Sequence, residues 1–90
     1  MSDEYPSEDQ LDAIEVWTRE NGWSALLEYV KALWWAADWG WTQDGWTYHI
    51  STGGWSGNES LIEAMRKNRL FWGECWIESR RGGHFVFLAP

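Results

Sequence analysis

The chain is ninety residues long, holds ten tryptophans and one cysteine, and sets fourteen acids against seven lysines and arginines for a formal charge of −7 at pH 7. That length supports one domain around one core, and the acidic balance argues against general DNA or RNA binding, which needs a basic surface to neutralise phosphates. A single cysteine excludes an internal disulfide and fits a reducing compartment, and no apolar run reaches transmembrane length, so a cytoplasmic chain without a membrane partner is the expectation.

Residues 1–6 read as a short disordered acidic tail and 7–90 as a single domain. Ser7 followed by Gln10 matches a capping box, and Leu11, Ile14 and Trp17 recur at helical spacing, which predicts a first helix over about residues 8–21 ended by Asn21-Gly22. With Gly22 in the left-handed conformation, Trp23 is expected to fold back near Trp17. Ser24 then caps a second helix to about Ala37, striped by Leu26, Leu27, Val30, Leu33, Trp34 and Ala37, with Trp35 off the stripe.

The segment 39–51 carries the strongest hairpin signal. With Asp44-Gly45 at the centre of its turn, Trp41 opposes Tyr48, Trp39 opposes Ile50, and Thr42, Thr47 and His49 share the other face. A glycine-rich loop from Thr52 to Gly57 leads into a third helix over about 58–69 with Leu61, Ile62 and Met65 on its core stripe, Ser56 and Glu59 forming a second capping box. Residues 71–88 read as two strands joined near Arg81-Gly82-Gly83. A two-residue turn there groups Cys75, Ile77, Val86 and Leu88 on one face, and Trp72, Glu74, Trp76, Glu78, Arg80, Phe85 and Phe87 on the other; a loop one residue longer exchanges the partners. The order ααββαββ gives an α+β domain, an antiparallel sheet of about four strands with helices on one side.

Seven of the ten tryptophans fall within residues 17–46, more indole than a small core needs. Each carries an N–H that wants an acceptor, which suits tryptophan to edges and interfaces. Charge is also unevenly placed, with ten acids and two bases in residues 1–45 against four acids and five bases in 46–90. Two segments of the basic half are candidate sites. In the loop, Gly53, Gly54 and Gly57 allow close backbone approach, and the N–H groups beside Ser56 and Asn58 at the following helix start form an anion-binding end. The plainer reading is a tight strand-to-helix turn whose N–H groups Ser56 and Glu59 satisfy. In the turn, Arg80 and Arg81 beside His84 suit a phosphate or a partner's carboxylate, or are simply solvated. If the two segments converge, stacked aromatics with arginine and helix N–H groups would suit a nucleotide-like anion.

Catalysis has little support in the residues. Cys75 alternates within an apolar segment, Glu74 and Glu78 sit close to Arg80 as surface ion-pair partners, and His49, His84 and Cys75 show no metal-ligand spacing. A non-enzymatic protein without a cofactor is therefore expected.

The segments Thr52-Gly53-Gly54-Trp55-Ser56-Gly57-Asn58-Glu59 and Ser79-Arg80-Arg81-Gly82-Gly83-His84-Phe85, with Phe71-Trp72 and Trp76, resemble small proteins of phages and prophages; the likeness covers roughly residues 39–88. The resemblance implies a setting, an accessory protein that binds and disables a host or defence-system component, and no mechanism. Because tryptophan and arginine dominate binding hot spots, the expected contact residues are Trp35, Trp55, Trp72, Trp76, Arg80 and Arg81. The alternative is a module that sequesters a nucleotide-like anion through Gly53, Gly54, Trp55, Ser56, Gly57, Asn58, Arg80, Arg81 and His84. A homodimer sealed by exposed indoles is a further outcome.

Overall fold

The computed structural model describes residues 5–89, so residues 1–4 of the expected tail lie outside the described residues. Tyr5 packs on Trp55 and its hydroxyl lies 2.6 Å from Ser56 Oγ. Among the described residues are helices α1 (Glu8–Glu15), α2 (Trp23–Leu33), α3 (Ala37–Gly40), α4 (Ser56–Lys67) and α5 (Arg69–Cys75), and strands β1 (Trp41–Asp44), β2 (Thr47–Ser51), β3 (Trp76–Arg80) and β4 (His84–Leu88). The strands form one antiparallel sheet in the order β1-β2-β4-β3. The domain is α+β, and its elements run in the expected order ααββαββ once the short α3 and α5 are added.

The helix ends show where local signals won and lost. Ser7 and Gln10 close the capping box, with Gln10 N–H donating to Ser7 Oγ at 3.1 Å and Ser7 N–H to Gln10 Oε1 at 2.8 Å. The first helix stops at Glu15 and does not reach residue 21. Thr18 restarts the chain as the cap of a separate 3-10 turn (Arg19–Asn21), and the carbonyls of Ile14 and Trp17 turn instead to Asn68 Nδ2, each at 2.9 Å. Gly22, not Ser24, precedes α2. Trp23 packs edge-on against Phe71, while Trp17 packs on Tyr29 and donates to Gly22 O, so the expected Trp17–Trp23 contact is replaced by two separate ones. α2 ends at Leu33 because Ala36 takes the left-handed conformation (φ 62°) and the backbone of Trp35 is bound by Asn58. Likewise Ser56 lies inside α4 and forms no capping box with Glu59; its hydroxyl meets Tyr5.

The first hairpin pairs Trp41 with Ile50 and Asp44 with Thr47. Its turn centres are thus Gly45 and Trp46, one position later than Asp44-Gly45, because Gly45 supplies the positive φ (65°) that the first central position of a type II′ turn requires. Trp39 and Gly40 leave the strand for α3, and Trp41 meets Tyr48 diagonally, ring centroids 6.4 Å apart. The shift of two residues keeps every side chain on its face. Trp41, Tyr48 and Ile50 are buried, and Thr42 and His49 are exposed.

Residues 71–75 are helical, not extended. Asn68 ends α4 and caps α5 by accepting from Phe71 N–H at 3.2 Å, so Phe71 and Cys75, four apart, both turn into the core. The second hairpin closes through a three-residue loop, Arg81-Gly82-Gly83, between paired Arg80 and His84. The partners expected from a two-residue turn therefore exchange: Phe85 and Phe87 turn toward the helices, whereas Glu78, Arg80, His84, Val86 and Leu88 share the helix-free face. An irregularity at Ile77 restores Trp76 to a position opposite Phe87.

The core lies between this sheet and the helices, with Phe71, Phe87, Ile14, Leu26, Leu27, Leu61 and Met65 fully enclosed. Each such side chain contributes roughly 1.5–3 kcal/mol by leaving water. The β2–β4 ladder extends beyond its strands, Thr52 N–H donating to Gly83 O at 3.0 Å and Ala89 N–H to Trp46 O at 2.9 Å. Gly83 has φ 80°, and an added Cβ would fall onto the Thr52 hydroxyl, whereas Gly54 (φ 78°) opens onto empty space. Gly54→Ala should therefore cost only the conformational strain of about 1–2 kcal/mol, and Gly83→Ala clearly more, with a thermal midpoint lower than that of Gly54→Ala by several degrees (~4–8 °C per kcal/mol for a domain of this size). Equal midpoints in parallel thermal melts would contradict the Thr52–Gly83 packing.

Candidate binding site

The two glycine-bearing segments meet. Thr52 opens the loop and Gly83 ends the turn; the hydrogen bond between them, with Thr52 Oγ1 accepting from Gly54 N–H at 3.2 Å, joins the segments at one end of the sheet. Around this junction the expected contact residues separate into distinct surfaces.

The first surface is aromatic. Trp35 is 50% and Trp39 67% exposed. Trp55 lies half-buried between Trp35 and Tyr5, ring centroids 5.6 and 5.3 Å away, and the Trp39 ring lies over Gly53. Beneath them Asn58 is buried, its Oδ1 accepting from Trp35 N–H at 2.9 Å and its Nδ2 donating to Trp35 O at 3.1 Å and Thr52 O at 3.2 Å. Asn58 is thus fully committed to the fold. Gly57 is also buried, pressed under the Trp55 indole so closely that a Cβ would collide with it. The first turn of α4 is therefore roofed by Trp55 and by the Tyr5–Ser56 contact, and the anion-binding end expected there is covered.

The second surface lies on the helix-free side of the sheet. Ser51, His84 and Arg80 form one cross-strand row, and His49, Val86 and Glu78 the next. Of these, Ser51, His84, Arg80, His49 and Val86 line a recess of about 230 Å³, together with Ile50 and Phe85. Ser51 Oγ and His84 Nδ1 are hydrogen-bonded, and Arg80 is held by Glu78, Nε to Oε2 at 2.7 Å. Arg81 lies exposed in the adjoining turn.

A third group sits at the β3 edge. Trp72 and Trp76 stack with centroids 5.9 Å apart, Arg66 covers Trp72 at 5.2 Å, and Trp76 Nε1 donates to Ser79 Oγ. Trp72 also meets Phe85 and Phe87 edge-on and belongs largely to the core margin, while Trp76 stays 40% exposed. A cleft of about 210 Å³ opens nearby between α4 and the junction, lined by Thr52, Glu59, Glu63, Arg66 and Phe85.

Sequence reasoning named Trp35, Trp55, Gly53 and Gly54, which the fold does gather, but missed Trp39 and Tyr5 beside them and His49 near His84; Ser51, at the head of the glycine-rich segment, faces His84. Trp39 was assigned to a strand. The spacing of His49 and Ser51, alternate residues of β2 on one face, was the available signal for His49.

The remaining reactive groups are committed to structure. Glu74 lies in α5, away from Glu78, and binds Arg19 and the Trp23 indole N–H, contacts that hold its carboxyl below the usual carboxylate range. Cys75 is 2% exposed at the end of α5, on the helix side of the sheet, with both histidines on the other. Burial, then the Glu74 charge, pushes its thiol up to about 11. A thiol-specific disulfide reagent at pH 8 should accordingly leave Cys75 unmodified in the folded protein and react fully once denaturant is added; rapid modification without denaturant would show that the thiol is accessible. No family model, curated protein or solved structure matches the chain.

Proposed function

We propose that this chain is a non-enzymatic accessory protein that acts by binding another protein through the aromatic surface of Trp35, Trp39, Trp55 and Tyr5. The phage-like setting suggested by the glycine-bearing segments makes a host or defence-system component the natural class of target. One observation carries the reading: two widely exposed indoles stand close in the chain, Trp35 on backbone that Asn58 fixes from below and Trp39 with its ring against Gly53. Exposed apolar rings add nothing to folding in proportion to their size, and the left-handed Ala36 between them is a strained arrangement for a residue with a Cβ. Rigid indoles on a fixed backbone lose little entropy on contact, which is the property of hot-spot residues. Trp76, on the β3 edge, is an outlying contact of the same type.

Cys75, the chain's single thiol, is enclosed and electrostatically disfavoured as a thiolate, which supports a binding role over nucleophilic catalysis. The second reading, capture of a nucleotide-like anion, draws support from the grouping of Arg80 with His84 and not from the covered start of α4.

Trp35→Ala and Trp39→Ala should each weaken capture of the target by about 2 kcal/mol, roughly thirtyfold. The measurement is quantitative recovery of bound protein from bacterial lysate on immobilised wild-type and variant chains, with circular dichroism confirming that the variants fold. Recovery by the double variant equal to wild type would remove this surface from the interface.

A further inference from the structure

We infer that the helix-free face of the sheet carries a phosphate-binding recess built by Arg80, His84, Ser51 and His49. This site is separate from the aromatic surface and uses none of its residues. Pleat parity creates it: the three-residue turn places Arg80 opposite His84, the β2–β4 ladder places Ser51 on the other side of His84, and His49 follows two residues earlier on the same face. Donors from three strands therefore point the same way around Val86, which is 7% exposed although it lies outside the core under the helices. Val86 forms an apolar floor, and the recess of about 230 Å³ above it is large enough for a phosphate group.

The donor count favours an anion. In the Ser51–His84 pair one of two protons is consumed by the mutual hydrogen bond. If Ser51 donates to Nδ1, the His84 Nε2–H remains; if Nδ1–H donates, the serine hydroxyl proton remains. Either tautomer leaves the pair a donor for a ligand. His49 supplies a second, and Arg80 a charged, planar donor set suited to phosphate oxygens. The other charges on this face are Glu78 on β3 and Asp44 on β1, the latter opposite Thr47 and a row removed from His49.

Glu78 is the informative neighbour. Its Oε2 accepts from Arg80 Nε at 2.7 Å and lies 2.5 Å from Nη2, leaving Nη1 unengaged in that pair. Glu78 thus occupies, from within the chain, the place at Arg80 that a ligand oxygen would take. Arg80 and Glu78 are both substantially exposed, 64% and 44% at their side chains, so their exchange with a ligand requires no rearrangement of the core. The carboxylate competes with the phosphate and sets the affinity of the site.

The ligand chemistry is a phosphate group, free or as a monoester. The test is a titration of the full chain at pH 7 and constant ionic strength with inorganic phosphate and, in parallel, with a nucleoside monophosphate, read by NMR from the histidine ring protons. Saturable shifts of His49 and His84 are expected. Arg80→Gln should weaken binding by about tenfold or more and Glu78→Gln should tighten it, because one removes the charged donor and the other its competitor. Lys67→Gln, a surface cation on α4, should leave binding unchanged. Tighter binding of the nucleoside monophosphate identifies a monoester as the ligand, and equal binding identifies free phosphate. Shifts that never saturate with either probe, an Arg80→Gln chain that binds like wild type, or a Glu78→Gln chain that binds more weakly would each overturn the site. These results are independent of lysate capture through Trp35 and Trp39, so the two readings fail separately.

Discussion

The arrangement rests on two buried asparagines at the ends of α4. Asn58 binds both backbone groups of Trp35 and the carbonyl of Thr52; Asn68 binds the carbonyls of Ile14 and Trp17 and caps α5. In a chain this short, much backbone lies in connections that have no ladder or helix to satisfy it, and buried peptide groups without partners are costly. A primary amide supplies two donors and an acceptor from one small side chain. Spaced ten residues apart, these two gather the end of α1, the end of α2, the strand-to-helix loop and the start of α5 onto one helix.

That dependence explains what could be read from the sequence and what could not. The capping box at Ser7, the core residues Leu26, Leu27 and Val30 of α2 and Leu61, Ile62 and Met65 of α4, and the presence of two hairpins are local patterns and are found as expected, whereas the hairpin registers differ. The early ends of α1 and α2 come with contacts made across 23 to 54 positions by the asparagine side chains, whereas α5 starts on a local cap, Asn68 accepting from Phe71 N–H. Asn58 looked like a ligand residue because it follows glycines, and its real partner, the backbone of Trp35, leaves no trace in sequence spacing. Asn68 did leave one: an asparagine ahead of Phe71 and Cys75 at helical spacing is a cap signal that the aromatic, strand-like composition of residues 71–76 outweighed.

The two hairpins show how unequal register errors are. A displacement of two residues in the first left every face correct, since side chains alternate with period two. A displacement of one in the second exchanged the faces of β4 relative to most of β3. Chemically the consequence is large. On the shorter turn Arg80 would share a face with Phe85 and Phe87, a mixed aromatic and cationic surface. On the turn observed, Gly82 and Gly83 both take positive φ, the phenylalanines join the core, and Arg80 comes beside His84.

The tryptophans divide in the same physical terms. Trp17, Trp23, Trp34 and Trp76 give their indole N–H to Gly22 O, Glu74, Ser51 O and Ser79, so the fold uses both the ring and the donor. Trp34 does more than fill space: its bond to Ser51 O reaches the β2 end from which the Ser51 side chain meets His84. Trp35 and Trp39 instead present most or half of their surface to water while their positions are fixed by Asn58 and by contact with Gly53. Exposed indole is found at more than one place, since Trp46 is 64% exposed in the β1–β2 turn and Trp76 40% at the β3 edge, but Trp35 and Trp39 stand beside the Thr52–Gly83 junction. There the aromatic surface and the cationic row approach from the two sides of one short strand end, and one hydrogen bond couples the loop carrying Trp55 to the turn that sets the register of Arg80.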